Sequence, residues 1–122
     1  RILVVDDNQG IRTAIIRLLV CDLLVNSYEE ASDIVTAMDK IQQSTFDLII
    51  LDLNLQGYSG LDFLRELRQK NIATPTLIVS MYPASTYKQD CLDLGAAGYI
   101  EKHVAADVLS AEVRRLAESA YP

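Results

Sequence analysis

Phe46-Asp47-Leu48-Ile49-Ile50-Leu51-Asp52 is an almost unbroken apolar run that closes on a carboxylate. It is too short for a globular helix and does not alternate as a half-exposed strand would, so it predicts a strand buried on both faces. Ile2-Leu3-Val4-Val5 is a second such run and closes on Asp6-Asp7. Leu77 to Val79 and Tyr99 to Ile100 are shorter runs of the same kind, and Leu23 to Val25 is the remaining strand candidate. Between these runs the apolar period changes to that of helices. Ile11, Ile15, Leu18 and Leu19 form one stripe with Asn8 as its N-cap; Ile34, Met38 and Ile41 form the next, with Ser27 and Glu30 in capping-box register. Leu61, Leu64 and Leu67 mark a third helix. Tyr87, Cys91 and Leu94 mark a fourth, opened by Pro83 and closed by Gly95, and Leu109, Val113, Leu116 and Ala120 a fifth.

Five repeats of buried strand then helix predict right-handed crossovers and a parallel sheet covered on both sides. The expectation is therefore an α/β, doubly wound, flavodoxin-like fold, a five-stranded parallel sheet of order 2-1-3-4-5, with residues 1–122 as one domain. With 122 residues, half of them hydrophobic, such a domain can bury a core without disulfides. Cys21 and Cys91 have no companion cluster and read as small buried hydrophobes. The formal charge is −6, from 11 Lys+Arg against 17 Asp+Glu, so direct nucleic-acid binding by this unit is not expected. The apolar stretch Ala14 to Val25 is broken by Arg17 and Asp22, so no membrane span is expected. Arg1 leads straight into a strand, so no signal peptide is expected, and a reducing cytoplasm is the expected location.

In open parallel sheets, ligands gather beyond the carboxyl ends of the strands. Here Asp6 and Asp7 follow the first strand, Asp52 the third, Ser80 the fourth and Lys102 the fifth. Each alone has a bland reading as a strand-end or surface polar residue. Together they put three carboxylates on one rim, which repel one another unless a cation compensates them. Hard Mg²⁺ suits such oxygen ligands, with Asp7, Asp52, a backbone carbonyl near Asn54 and waters completing the shell. Lys102 and the Ser80 hydroxyl are then placed for an incoming phosphoryl group.

These residues resemble the receiver domain of bacterial two-component response regulators. The resemblance covers essentially the whole chain and rests on Asp6-Asp7, on Leu51-Asp52-Leu53-Asn54-Leu55 with Gly60 beyond it, on Ser80, and on Gly95-Ala96-Ala97-Gly98-Tyr99-Ile100-Glu101-Lys102. It implies that Asp52 is the phosphoacceptor, that Asp6 and Asp7 organise Mg²⁺, that Lys102 pairs with phosphoryl oxygens, and that Ser80 and Tyr99 are the switch pair. It also implies a sensor histidine kinase or phosphotransfer protein as partner, homodimerisation on phosphorylation, and a surface of fourth helix, fifth strand and fifth helix that changes shape to control an output. Such a domain is a phosphoacceptor rather than a turnover enzyme. His103 stands where many receivers have proline, as in receivers joined to helix-turn-helix DNA-binding units, so transcription is the expected output. Gln56 replaces a common proline, and Met81 a small residue. Asn54, Met81 and Tyr82 are expected to tune the phosphoryl lifetime, the last two by hindering water.

Other readings fit less well. An aspartyl phosphatase commonly carries Asp-x-Asp, whereas Asn54 follows Asp52 at that spacing. A nucleotide binder wants an uncharged phosphate loop where this chain has Asp6 and Asp7. The most serious alternative is a pseudo-receiver acting only as a protein-binding module, whose usual mark is loss of the acceptor, the acidic pair or the lysine, all of which are present here. His103 reads as an exposed turn residue; Tyr58, Tyr82 and Tyr87 read as isolated surface tyrosines, and Arg65, Glu66, Arg68 and Lys70 as a solvated helix face.

Overall fold

In the computed structural model, which describes residues 1–22, 25–55 and 58–120, the buried runs lie side by side. The strands are β1 (Ile2–Val5), β2 (Tyr28–Ala31), β3 (Leu48–Leu51), β6 (Thr76–Ser80) and β7 (Gly98–Glu101), all parallel, in the order β2-β1-β3-β6-β7. Counted within this sheet alone, that is the expected 2-1-3-4-5. A two-stranded antiparallel ribbon, β4 (Asn54–Leu55) with β5 (Tyr58–Ser59), stands apart from it.

Five helices complete the repeats: α1 (Gln9–Cys21), α2 (Ile34–Gln43), α3 (Gly60–Gln69), α4 (Ala84–Asp93) and α5 (Ala105–Ala120). Strand residues alternate between two cores because successive side chains leave opposite faces. Leu3, Val5, Ile49, Leu51 and Ile78 pack with Met38 of α2, Phe63, Leu64 and Leu67 of α3 and Cys91 of α4. Ile2, Val4, Ile50, Leu77 and Val79 pack with Ile15, Ile16 and Leu19 of α1 and Leu109 and Val113 of α5. The inner strands β1, β3 and β6 are buried along their whole length, in keeping with the apolar runs of β1 and β3 and the Leu77–Val79 centre of β6.

The second strand is not where the apolar content suggests. It is Tyr28–Ala31, while Val25 is buried in a loop and Leu23 and Leu24 lie outside the described residues. This is an edge strand. Its outer side faces solvent, so it carries Tyr-Glu-Glu and is held by the ladder to β1 and by charge: Glu29 meets Arg1 and Lys40, and Glu30 meets Arg12. The Ser27–Glu30 capping box fails for the same reason, since Glu30 is in that strand. Asp33 caps α2 instead, accepting the Thr36 N–H at 2.8 Å.

Asn8 caps α1 as expected, accepting from Ile11, and α4 starts after Pro83. Gly95, at φ +91, ends the turn after α4, where a Cβ would be strained. Gly60 has a different necessity: a Cβ there would lie 2.6 Å from Leu53 Cα and 2.7 Å from the Asp52 carbonyl oxygen. The first residue of α3 is thus pressed against the chain just after β3.

Candidate functional site

The register of β1 with its two neighbours, β2 and β3, builds the site. Val5 pairs with Leu51, and the ladder continues one residue further, with the Asp52 N–H bonding to the Val5 carbonyl and the Asp6 N–H to the Ala31 carbonyl. Asp6 and Asp52 therefore leave the sheet as neighbours. Both are buried, at 2% and 4% exposure, whereas Asp7 is exposed. Carboxylate oxygens of Asp6, Asp7 and Asp52 lie within 4.8 Å of one another.

Lys102, in the 3-10 turn Lys102–Val104 after β7, supplies the counter-charge. Its Nζ sits 3.0 Å from Asp6 Oδ2 and 3.1 Å from Asp52 Oδ2. Burial pushes the Asp52 carboxyl above its usual range and the Asp6 charge adds to that, against the Asn54 N–H and Lys102. For Lys102, burial favours the neutral amine, but the bond to Asp6 and the charges of Asp52 and Asp6 outweigh it, leaving the ammonium above the ordinary lysine range. Three carboxylates against one ammonium leave a surplus of two negative charges when all are ionised. An all-oxygen donor set with that surplus fits a hard divalent cation such as Mg²⁺.

Ser80 ends β6 fully buried, and its Oγ accepts the Tyr82 N–H at 3.0 Å. The Tyr99 hydroxyl donates to the Tyr82 carbonyl at 2.8 Å, and its ring packs against the core beneath α2, α3 and α4. Burial raises the Tyr99 phenol, with the nearby Ser80 hydroxyl acting the other way. The ring lies against the core while Ser80 Oγ holds the loop. Asn54 is exposed and donates its N–H to Asp52 Oδ1 at 3.2 Å. Met81 is 78% exposed, while Tyr82 is 39% exposed and meets Tyr87 edge-on at 4.9 Å. Gln56 lies outside the described residues.

Some bland readings change. Cys91 is buried, but Cys21 is exposed on the last turn of α1. Arg68 is not simply solvated: its Nε and Nη2 are buried without a hydrogen-bond partner among the described residues, beneath Gly95. His103 is exposed, as expected of a turn residue. The sequence reading passed over Arg12, whose guanidinium bonds both Glu30 and the Asp6 carbonyl. The signal for it was faint, a single cation one turn into the helix that follows the acidic pair.

The sequence pattern of the response regulator receiver domain matches residues 2–114. The chain belongs to that family. It is 32% identical over 121 residues to the nitrate/nitrite response regulator protein homolog of Haemophilus influenzae, covering 97% of this chain and 57% of that protein. The chain thus spans little more than half the length of this relative. The receiver domain of NtrX from Brucella abortus superposes with a TM-score of 0.87 at 29% identity, over 98% of this chain and 99% of that one. The response regulator protein TrrA from Thermotoga maritima, solved in complex with Mg(2+)-BeF, has a TM-score of 0.79 at 32% identity, over 95% and 97% of the two chains. Receivers are signalling domains that bind Mg²⁺ at an acidic pocket and interact with histidine kinases or phosphotransfer proteins. Among the described residues no helix is long and apolar enough to cross a membrane.

Proposed function

We propose that this chain is a phosphorylation-controlled switch that accepts a phosphoryl group on Asp52 in the cytoplasm, from a sensor histidine kinase, a phosphotransfer protein or a small acyl phosphate. The observation that carries the reading is the placement of Lys102 Nζ between Asp6 and Asp52, inside a cluster of three carboxylates. A pseudo-receiver has no need to assemble that cluster. Asp6, Asp7, Asp52 and the Asn54 backbone carbonyl would hold Mg²⁺, which supplies charge neutralisation at the transferring group. The TrrA complex, with Mg(2+)-BeF in a relative of 32% identity, supports that choice of ion.

In the transfer, an Asp52 carboxylate oxygen forms a bond to phosphorus while the bond from phosphorus to the donor's imidazole nitrogen or acyl oxygen breaks. The electron pair leaves with the donor. Lys102, already beside Asp52, pairs with the phosphoryl oxygens. The product carries about −1.5 to −2 charge, if it ionises as other phosphorylated side chains do. Ser80 Oγ accepts from Tyr82, which leaves its own O–H free to donate to a phosphoryl oxygen. Movement of Ser80 toward that oxygen strains its bond to Tyr82 and so shifts the loop that Tyr99 also holds. The surface of α4, β7 and α5 is the part this displacement reaches, and homodimerisation and control of transcription by an attached unit are the outputs we assign to it.

Exposed Met81 and Tyr82 border the Ser80 side of the site, and Asn54 borders the Asp52 side. We assign these three to the lifetime of the acyl phosphate, and alanine at both 81 and 82 is expected to speed dephosphorylation. The primary test is intact mass after incubation with acetyl phosphate and Mg²⁺. One added phosphoryl group is expected, absent without Mg²⁺ and absent from Asp52→Asn. A folded protein that gains nothing from acetyl phosphate or from a purified kinase would overturn the reading.

A further inference from the structure

Asp6 is fixed at each of its polar groups. Its N–H bonds the Ala31 carbonyl at 3.1 Å, its Oδ1 receives the Asn8 N–H at 2.9 Å, and its Oδ2 meets Lys102 Nζ at 3.0 Å. Its carbonyl receives Nη1 of Arg12. Asp7, by contrast, makes no side-chain hydrogen bond or ion pair with the described residues, although its carboxylate lies in the same cluster. What directs Asp7 is therefore the peptide that joins it to Asp6, and Arg12 is the side chain bonded to that peptide.

The arginine is itself held. Its side chain is only 12% exposed, and its Nε donates at 3.0 Å to Oε1 of Glu30 on β2. A guanidinium fork bonded at two ends loses little freedom and sets a plane, which a lysine cannot do. Electrostatics alone argues against a cation here, because a positive charge beside a cation site repels the ion. Glu30 offsets that charge, and the geometry gives the reason for tolerating it.

We infer that Arg12, braced by Glu30, is a positioning residue for the acidic cluster: it sets the Asp6–Asp7 peptide and through it the carboxylate of Asp7 offered to a divalent cation. The inference rests on the reading of that cluster as a Mg²⁺ site. Groups that orient metal ligands typically change affinity by about 10- to 100-fold when removed.

The test is calorimetric titration of the whole domain with Mg²⁺, alongside circular dichroism to check folding. Coulombic repulsion alone predicts that Arg12→Ala tightens Mg²⁺ binding, whereas positioning predicts about tenfold weakening. Arg12→Lys keeps the charge without the fork and is expected to lie between the two. Phosphorylation by acetyl phosphate should then need more Mg²⁺ for half its maximal rate, with the maximal rate at saturating Mg²⁺ little changed. If the wild type binds Mg²⁺ and folded Arg12→Ala binds as tightly or more tightly, this inference falls and the site reading survives. If the wild type itself binds none, the site reading falls first. Should Arg12→Ala not fold, Glu30→Gln on the sheet edge decides: weaker binding supports the brace, and unchanged binding overturns it.

Discussion

Tyr99 and Tyr82 are joined by a hydrogen bond of 2.8 Å from the phenol to the main-chain carbonyl, and the amide of the same Tyr82 bonds Ser80 Oγ at 3.0 Å. Both residues assigned to the switch thus grip one residue of the loop between β6 and α4. Ser80→Ala removes the acceptor for the Tyr82 N–H, so amide exchange at Tyr82 should accelerate at least about tenfold while the core strand amides keep their protection. Tyr99→Phe frees a carbonyl that water can reach, so it should cost no more than about 1 kcal/mol of stability. Exchange at Tyr82 unaffected by Ser80→Ala would mean that the loop is held by something other than this hydroxyl.

Asp52 is buried, above its ordinary carboxyl range, and beside Asp6. Its ionised form is therefore less favourable in the fold than in the unfolded chain. Asp52→Asn removes that charge and leaves Lys102 paired with Asp6. The variant should be more stable than the wild type at neutral pH without divalent ions, measured by urea unfolding. Mg²⁺ should narrow the gap by stabilising only the wild type. A destabilised Asp52→Asn would show that the Lys102 bond outweighs burial.

Why so much of this was legible lies in the burial of the inner strands. Residues 2–5, 48–51 and 76–80 are enclosed on both faces, so their sequences are nearly pure apolar runs, and the polar groups that end them, Asp6 and Asp7, Asp52 and Ser80, fall on one rim by topology alone. Tyr28–Ala31 escaped because an edge strand is stabilised by main-chain pairing and ion pairs, which leave no apolar signature. The ribbon Asn54–Leu55 with Tyr58–Ser59 escaped because two residues per strand carry no period. Arg12 escaped for another reason: its partner is a main-chain carbonyl, and no residue type announces that.

Gly60 is the first residue of α3, and any Cβ there meets main-chain atoms of Leu53 and Asp52 at 2.6 and 2.7 Å. Neither neighbour is a flexible side chain that can swing away. Gly60→Ala should therefore destabilise by roughly 1–3 kcal/mol, the usual cost of overpacking, and push on the segment that carries the Asn54 N–H to Asp52. Urea unfolding gives the first quantity, and slower phosphorylation by acetyl phosphate the second. A substitution with no effect on either would contradict the tight approach of α3 to the end of β3.

The Asp33 cap gives a prediction with a defined sign in pH. The Thr36 N–H, assisted by the Thr36 hydroxyl, holds its carboxyl below the ordinary value of 3.8. A carboxylate whose folded value is depressed adds stability that is present above the unfolded value and is lost as pH falls through the folded one. Asp33→Ala should cost about 1 kcal/mol at pH 7, and the difference from wild type should shrink as pH falls below 3.8. An unfolding series from pH 7 downward checks it, and a difference that does not shrink would locate the effect in something other than the ionised cap.

The two cysteines should separate cleanly by reactivity. Thiolate is the reacting form, so burial acts twice, by blocking access and by lowering the thiolate fraction. Burial pushes the Cys91 thiol up to about 11, and it lies fully enclosed in the core with Phe63 and Leu67, whereas Cys21 is exposed at the end of α1. Native protein treated with iodoacetamide at pH 8 should take one label, mapped by peptide mass to Cys21, and a second only in denaturant. Because the Cys91 side of α4 opens only when the core does, the rate of that second label at low denaturant should follow the unfolding equilibrium rather than the reagent's intrinsic rate. Rapid native labelling of Cys91 would instead mean that α4 separates from the sheet locally, and the surface of α4, β7 and α5 would then be loose before any phosphoryl group arrives.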